Sequence, residues 1–172
     1  MDLAARSWID PRIEVRLSPI DGHGLFAKAR IRADERVIVW GGRLISDSDV
    51  AELQAALEAT GAEYSCAAVG EGLNVLQQPD DPLRYGNHAC DPNLWMVDSI
   101  TQAARRDIAV GEEVTTDYGT VSVIPSWQME CRCGSRLCRG VVTGEDWRRP
   151  DLRERYRDHF MPFINERIRH LA

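Results

Sequence analysis

The sequence predicts a mainly β fold built from several small sheets, with one short helix inserted among the strands and another near the C-terminus. Three observations support this. Short β-prone runs alternate with glycine, proline and aspartate turns at close spacing, helical periodicity is confined to two short stretches, and 172 residues with 44% hydrophobic content suffice for one domain with a modest core.

The expected strands run in order through "IEVRL", "RVIVW", "YSCAAV", "LNVLQ", "LWMVD" and "ITQAARRDI". Each is rich in β-branched or aromatic residues and bounded by turn formers. The inserted helix is expected at about residues 49 to 59. Asp49 and Glu52 form its capping pair, Val50, Leu53 and Leu57 share one face, and Gly61 stops it. The second helix is expected over about residues 151 to 160, after Pro150, with Leu152, Tyr156 and Phe160 near one face and Pro162 closing it.

No stretch approaches the roughly 20 apolar residues of a membrane helix, and "MDLAARSWIDPRIEV" carries charges where a secretory leader needs an apolar run. The expected location is therefore a reducing compartment: the cytoplasm for a bacterial-type protein, the nucleus for a eukaryotic one. The net charge of −6 argues against direct nucleic-acid binding and favours a basic partner. Lys28 is the only lysine, which fits a bias toward arginine codons.

The segment "MECRCGSRLCRG" places Cys131, Cys133 and Cys138 within eight residues, three parts of a tetrahedral metal site. Of the two remaining cysteines, Cys66 lies in an apolar strand-like run, where cysteine usually acts as a small buried hydrophobe. Cys90 lies in the turn-rich "RYGNHACDPNLW" and is the expected fourth ligand, so that one zinc ties the C-terminal segment onto this turn.

Four motifs in order, "DGHGLFAKARI", "RYGNHACDPN", "GEEVTTDYG" and "CRCGSRLCRG", resemble those of the SET-domain protein lysine methyltransferases with a post-SET zinc motif, over roughly residues 13 to 140. The resemblance implies a β-clip-like fold in which the "NHAC" and "DYG" segments form a pseudoknot. It divides the chain into a SET domain (1–124), a zinc-binding post-SET segment (125–142) that closes the site as a lid, and a C-terminal helical extension (143–172). The implied activity is methyl transfer from S-adenosylmethionine to the side-chain amine of lysine in a protein or basic peptide.

Residue by residue, the resemblance implies Tyr118 as the active-site tyrosine. It implies Gly22, His23, Gly24, Tyr64, Arg84, Tyr85, Asn87 and His88 at the cofactor, with His23 where relatives often carry tryptophan. Trp40 and Thr116 fall in the substrate channel, although Trp40 is equally read as an ordinary core tryptophan. Threonine at 116 leaves room for amines already methylated. Trp127 and Trp147 flank the zinc motif and fit either under the lid or in the core.

Two other readings compete. A non-catalytic, zinc-stabilised peptide-binding module would need a broken site, yet Asn87, His88 and Tyr118 are all present. A Cys90–His88 thiol hydrolase is disfavoured because the zinc takes the thiolate.

Overall fold

The computed structural model describes residues 3–58 and 65–171. In chain order the elements are β1 (Trp8–Ile9), β2 (Ile13–Leu17), β3 (His23–Ala27), β4 (Arg36–Val39), β5 (Arg43–Ser46), α1 (Asp47–Glu58), β6 (Cys66–Gly70), β7 (Leu73–Leu76), β8 (Asn87–His88), β9 (Leu94–Met96), β10 (Thr101–Ala104), β11 (Glu113–Thr116), β12 (Gln128–Glu130), β13 (Val141–Thr143), α2 (Pro150–Tyr156) and α3 (Pro162–Arg169). As the sequence predicts, the strands form small sheets. They are ordered β1-β4-β10-β9, β2-β3-β11-β8, β5-β7-β6 and β12-β13.

Most pairings are antiparallel, but β8 and β11 run parallel, Thr115 opposite Asn87 and Thr116 opposite His88. That contact brings the "NHAC" and "TTDYG" segments side by side. Asn93 fastens it further along: its Nδ2 donates to the Glu113 carbonyl at 2.7 Å and its Oδ1 accepts from Thr115 N–H at 2.9 Å.

The inserted helix starts at Asp47 rather than Asp49, because the reciprocal cap is made one step earlier. Ser46 N–H donates to Asp49 Oδ2 at 2.8 Å and Asp49 N–H donates to Ser46 Oγ at 3.2 Å, a capping box of Ser46 and Asp49 in place of the expected Asp49 and Glu52. Val50 and Leu53 are half-buried, as the shared face requires. Gly61, the expected stop, lies outside the described residues.

At the C-terminus the expected single helix is two. α2 ends at Tyr156, a 3₁₀ turn follows at Arg157–His159, and Pro162 opens α3 instead of closing its predecessor. Proline is suited to a first helical turn, where its missing N–H has no partner to lose.

These helices are no appendix. Leu152, Tyr156, Phe160, Met161 and Ile164 are each at most 1% exposed, in one cluster with Leu25, Ile38, Leu94 and Val114 from the sheets. No described helix is long and apolar enough to cross a membrane.

Candidate active site and metal centre

The four expected metal ligands converge. The Sγ atoms of Cys90, Cys131, Cys133 and Cys138 all lie within 4.8 Å of one another, and those of Cys90 and Cys131 are 3.6 Å apart. A tetrahedral zinc with ligands at about 2.3 Å sets its sulfurs about 3.8 Å apart, so the arrangement fits that ion. Cys66 is elsewhere: it is half-buried in β6, and burial pushes its thiol up to about 11. The β12–β13 hairpin carries the loop with three of the ligands, and Cys131 N–H donates to Gly140 O at 2.8 Å across its base.

Cys90 connects this centre to the second cluster. His88 Nε2 lies 3.3 Å from Cys90 Sγ, and His88 Nδ1 accepts a hydrogen bond from Tyr118 N–H at 3.1 Å. A ring nitrogen that accepts from an amide carries no proton, so the proton is on Nε2, facing the sulfur. Burial pulls the imidazolium down to about 4, although Asp117 lies 3.6 Å away. His88 is thus a neutral strut between Cys90 and the tyrosine.

Tyr118 begins a short 3₁₀ turn capped by Asp117, whose Oδ1 accepts from Gly119 N–H at 2.9 Å. Its hydroxyl donates to Gly86 O at 2.5 Å. Gly86 is brought there by the 3₁₀ turn Pro82–Tyr85, which the buried Asp81 caps through Leu83 N–H at 3.0 Å. Burial, with Asp21 adding a smaller push, raises the phenol to about 12, so it remains protonated at neutral pH.

Tyr118 also faces a cavity of about 720 Å3, with Trp40, Thr116 and Arg84 in its lining among apolar Leu25, Ile38, Leu94 and Val114. Trp40 is 5% exposed within the core and also forms cavity wall. Trp147 is core; Trp127 lines the cavity, its ring 6.4 Å from that of Tyr118.

The remaining expected residues lie around the Asn87 turn. His23 and Tyr85 rings lie 5.5 Å apart. The Asn87 amide is engaged within the protein, donating to the carbonyls of Asp21 and His23 at 3.2 and 3.0 Å and to Glu113 Oε1 at 2.8 Å. With both His88 nitrogens also occupied, these side chains hold the turn together.

A Cβ at Gly24 would collide with Glu113 Oε1, so the protein's own carboxylate makes a close approach there. Gly22 has φ +43 with nothing within 4 Å of an added Cβ, a left-handed turn beside open space. Tyr64 lies outside the described residues.

Sequence reasoning missed Arg139. Its guanidinium binds both oxygens of Asp117, each at 2.6 Å, and its Nε lies 2.9 Å from Asp146 Oδ2. Tyr156 OH donates to Asp117 Oδ2 at 2.8 Å, and Arg155 donates to Cys90 O at 2.9 Å. Burial opposes the Asp117 carboxylate, but Arg139 outweighs it and holds the carboxyl below its usual range. The signal was an arginine directly after the last cysteine, which composition alone cannot tell from a solvated one.

Comparison with known proteins agrees with this geometry. The SET domain family matches residues 22–119. The chain is 27% identical over 151 residues to the histone-lysine N-methyltransferase ash1 of Drosophila melanogaster, covering 83% of this chain. It is 32% identical over 134 residues to the human histone-lysine N-methyltransferase SETD1B, covering 73%. It spans only 7% of the length of either relative.

The methyltransferase domain of human SETMAR shares the fold, with a TM-score of 0.61 and 20% identity over 76% of this chain and 57% of that one. The family match encloses the glycine turn, the parallel β8–β11 pair and Tyr118, and on that footing the chain belongs to the SET-domain family.

Proposed function

We propose that this protein transfers the methyl group of S-adenosylmethionine to the side-chain amine of lysine in a protein substrate, with a zinc ion held by Cys90, Cys131, Cys133 and Cys138 fixing the post-SET segment. The observation that carries it is Tyr118: a half-buried, protonated phenol on the wall of a partly apolar cavity, fixed by its hydroxyl to Gly86 and by its backbone to His88. When bound, the cofactor supplies a methyl group on a cationic sulfur that an amine can take in an in-line displacement.

The chain's own residues align, dry and neutralise. The aliphatic walls and Trp40 accommodate the methylene stem of a lysine. They also disfavour its ammonium, so the proton leaves to solvent before attack. Tyr118 is not the base, because its phenol stays protonated up to about 12. Its proton is committed to Gly86 O, and its oxygen lone pairs are left for the reacting centre. In this reading Gly22, His23, Gly24, Tyr85, Asn87 and His88 form the cofactor side, which the proximity of the His23 and Tyr85 rings and the Asn87 bond to His23 O support. A basic segment is the fitting partner for a chain of net charge −6. The thiolate ligand set fits a reducing, cytoplasmic setting.

Labelled cofactor incubated with recombinant histones and with a cell lysate tests the activity, with mass spectrometry locating the label. Tyr118→Phe should lower turnover at least about a hundredfold while zinc content and cofactor affinity hold. Cofactor binding with no labelled lysine in either mixture would establish a binding module instead.

A further inference from the structure

Gln102 is a polar residue in an apolar place. It lies on β10 between Ile38 and Met96 as cross-strand neighbours and is 1% exposed. Its Nε2 donates to Thr116 Oγ1 at 2.9 Å, whereas its Oε1 accepts no hydrogen bond from the described residues. Both side chains line the cavity that Tyr118 and Trp40 also face. The oxygen is not among the fully enclosed unpaired polar atoms of the described residues, so it opens onto the cavity, at a strand position that normally carries an aliphatic side chain. It is an acceptor open to a donor that enters the cavity.

We propose that Gln102 is a specificity-determining residue that accepts a hydrogen bond from an N–H of the substrate amine, so that the cavity favours amines still carrying a hydrogen and disfavours formation of the trimethylated product. This rests on the methyl transfer proposed above. In each transfer the neutral amine's lone pair forms the new N–C bond as the C–S bond of the sulfonium breaks. The electron pair stays on the departing thioether sulfur, and solvent takes the proton the ammonium has shed. Neutral unmethylated lysine offers Gln102 two N–H groups and monomethyl-lysine one. Dimethyl-lysine offers none, so the third transfer proceeds without this contact and with the Gln102 oxygen facing a methyl group.

Thr116 fixes the amide through its own hydroxyl, which makes the pair the unit of selection. Neither residue needs to move, since both belong to paired strands, β10 and β11.

The test compares wild type with Gln102→Leu, and with Gln102→Met as an unbranched alternative should leucine fail to unfold cooperatively. Each is incubated with recombinant histones at saturating cofactor, and mass spectrometry counts the methyl states. Either variant should raise the ratio of trimethyl-lysine to mono- and dimethyl-lysine at least about fivefold. Its kcat/KM on an unmethylated acceptor should fall about tenfold, the scale of one lost buried hydrogen bond, with a smaller change on a dimethylated one. An unchanged product distribution in a folded variant overturns the role of Gln102 and leaves the methyltransferase intact. A wild type that labels neither histones nor lysate overturns both.

Discussion

Replacing Arg139 by methionine removes one charge from the interior and keeps most of the stem's volume. The arginine side chain is 4% exposed and its partners Asp117 and Asp146 are 0% and 7% exposed, so the change strands two carboxylates, one of them wholly buried. Breaking a buried pair by removing one member costs about 3–5 kcal/mol, because the remaining ion keeps its desolvation penalty. For a chain of this size each kcal/mol moves Tm by about 2–4 °C, which gives a fall of about 6–20 °C.

The pH dependence separates this mechanism from simple loss of packing. In the wild type the Asp117 carboxyl is held low, so its contribution is present above the unfolded pKa of about 4 and is lost as pH falls below it. Without Arg139, burial dominates and the folded pKa rises above the unfolded one, so the variant loses stability as pH rises. The gap between the two proteins should therefore narrow from pH 7 to pH 5. Urea unfolding at both values, with zinc content measured because Cys138 is adjacent, reads it. A loss below about 1 kcal/mol, or one equal at the two pH values, would refute the reasoning.

Metal analysis should find one zinc per chain, and Cys133→Ser should release it and reduce activity more than it lowers Tm, since the site anchors a loop outside the main core. Gly24→Ala should cost about 1–3 kcal/mol in urea titration, because the new Cβ displaces Glu113 and breaks its bonds to Ser18 and Asn87. Adding Glu113→Ala should recover part of that loss. Leu152→Ala, at a fully buried position on α2, should cost about 2–5 kcal/mol by thermal unfolding, whereas a detachable C-terminal helix would lose almost nothing globally.

Much of the site was legible because its chemistry is carried by rare residue types at short spacing. Three cysteines in eight residues announce a metal, and Cys90 is separable from Cys66 because one lies among turn formers and the other in an apolar run. The strands were legible for the same local reason. Pro162 was misjudged because proline both ends one helix and begins another, and only the packing of Ile164 into the core favours a second. The cap at Ser46 lay hidden for a similar reason: serine before aspartate reads as loop until the strand is seen to stop there.

By itself the sequence carried the mainly β class, the four cysteines that the structure brings together and the motifs that resemble the family. The class rests on composition and periodicity, three of the cysteines on short spacing, Cys90 on its turn-rich setting and the family on the resemblance of four motifs, all of which the chain carries without folding. The tertiary structure decided who holds whom. It placed Glu113 against Gly24, turned both nitrogens of His88 inward to Cys90 and Tyr118, and set Arg139 across Asp117 and Asp146. It also left one end of Gln102 open to the cavity. Each of these contacts spans segments distant in sequence. Their existence depends on desolvation, which converts a charge or amide from a solvated surface group into a partner that must be found.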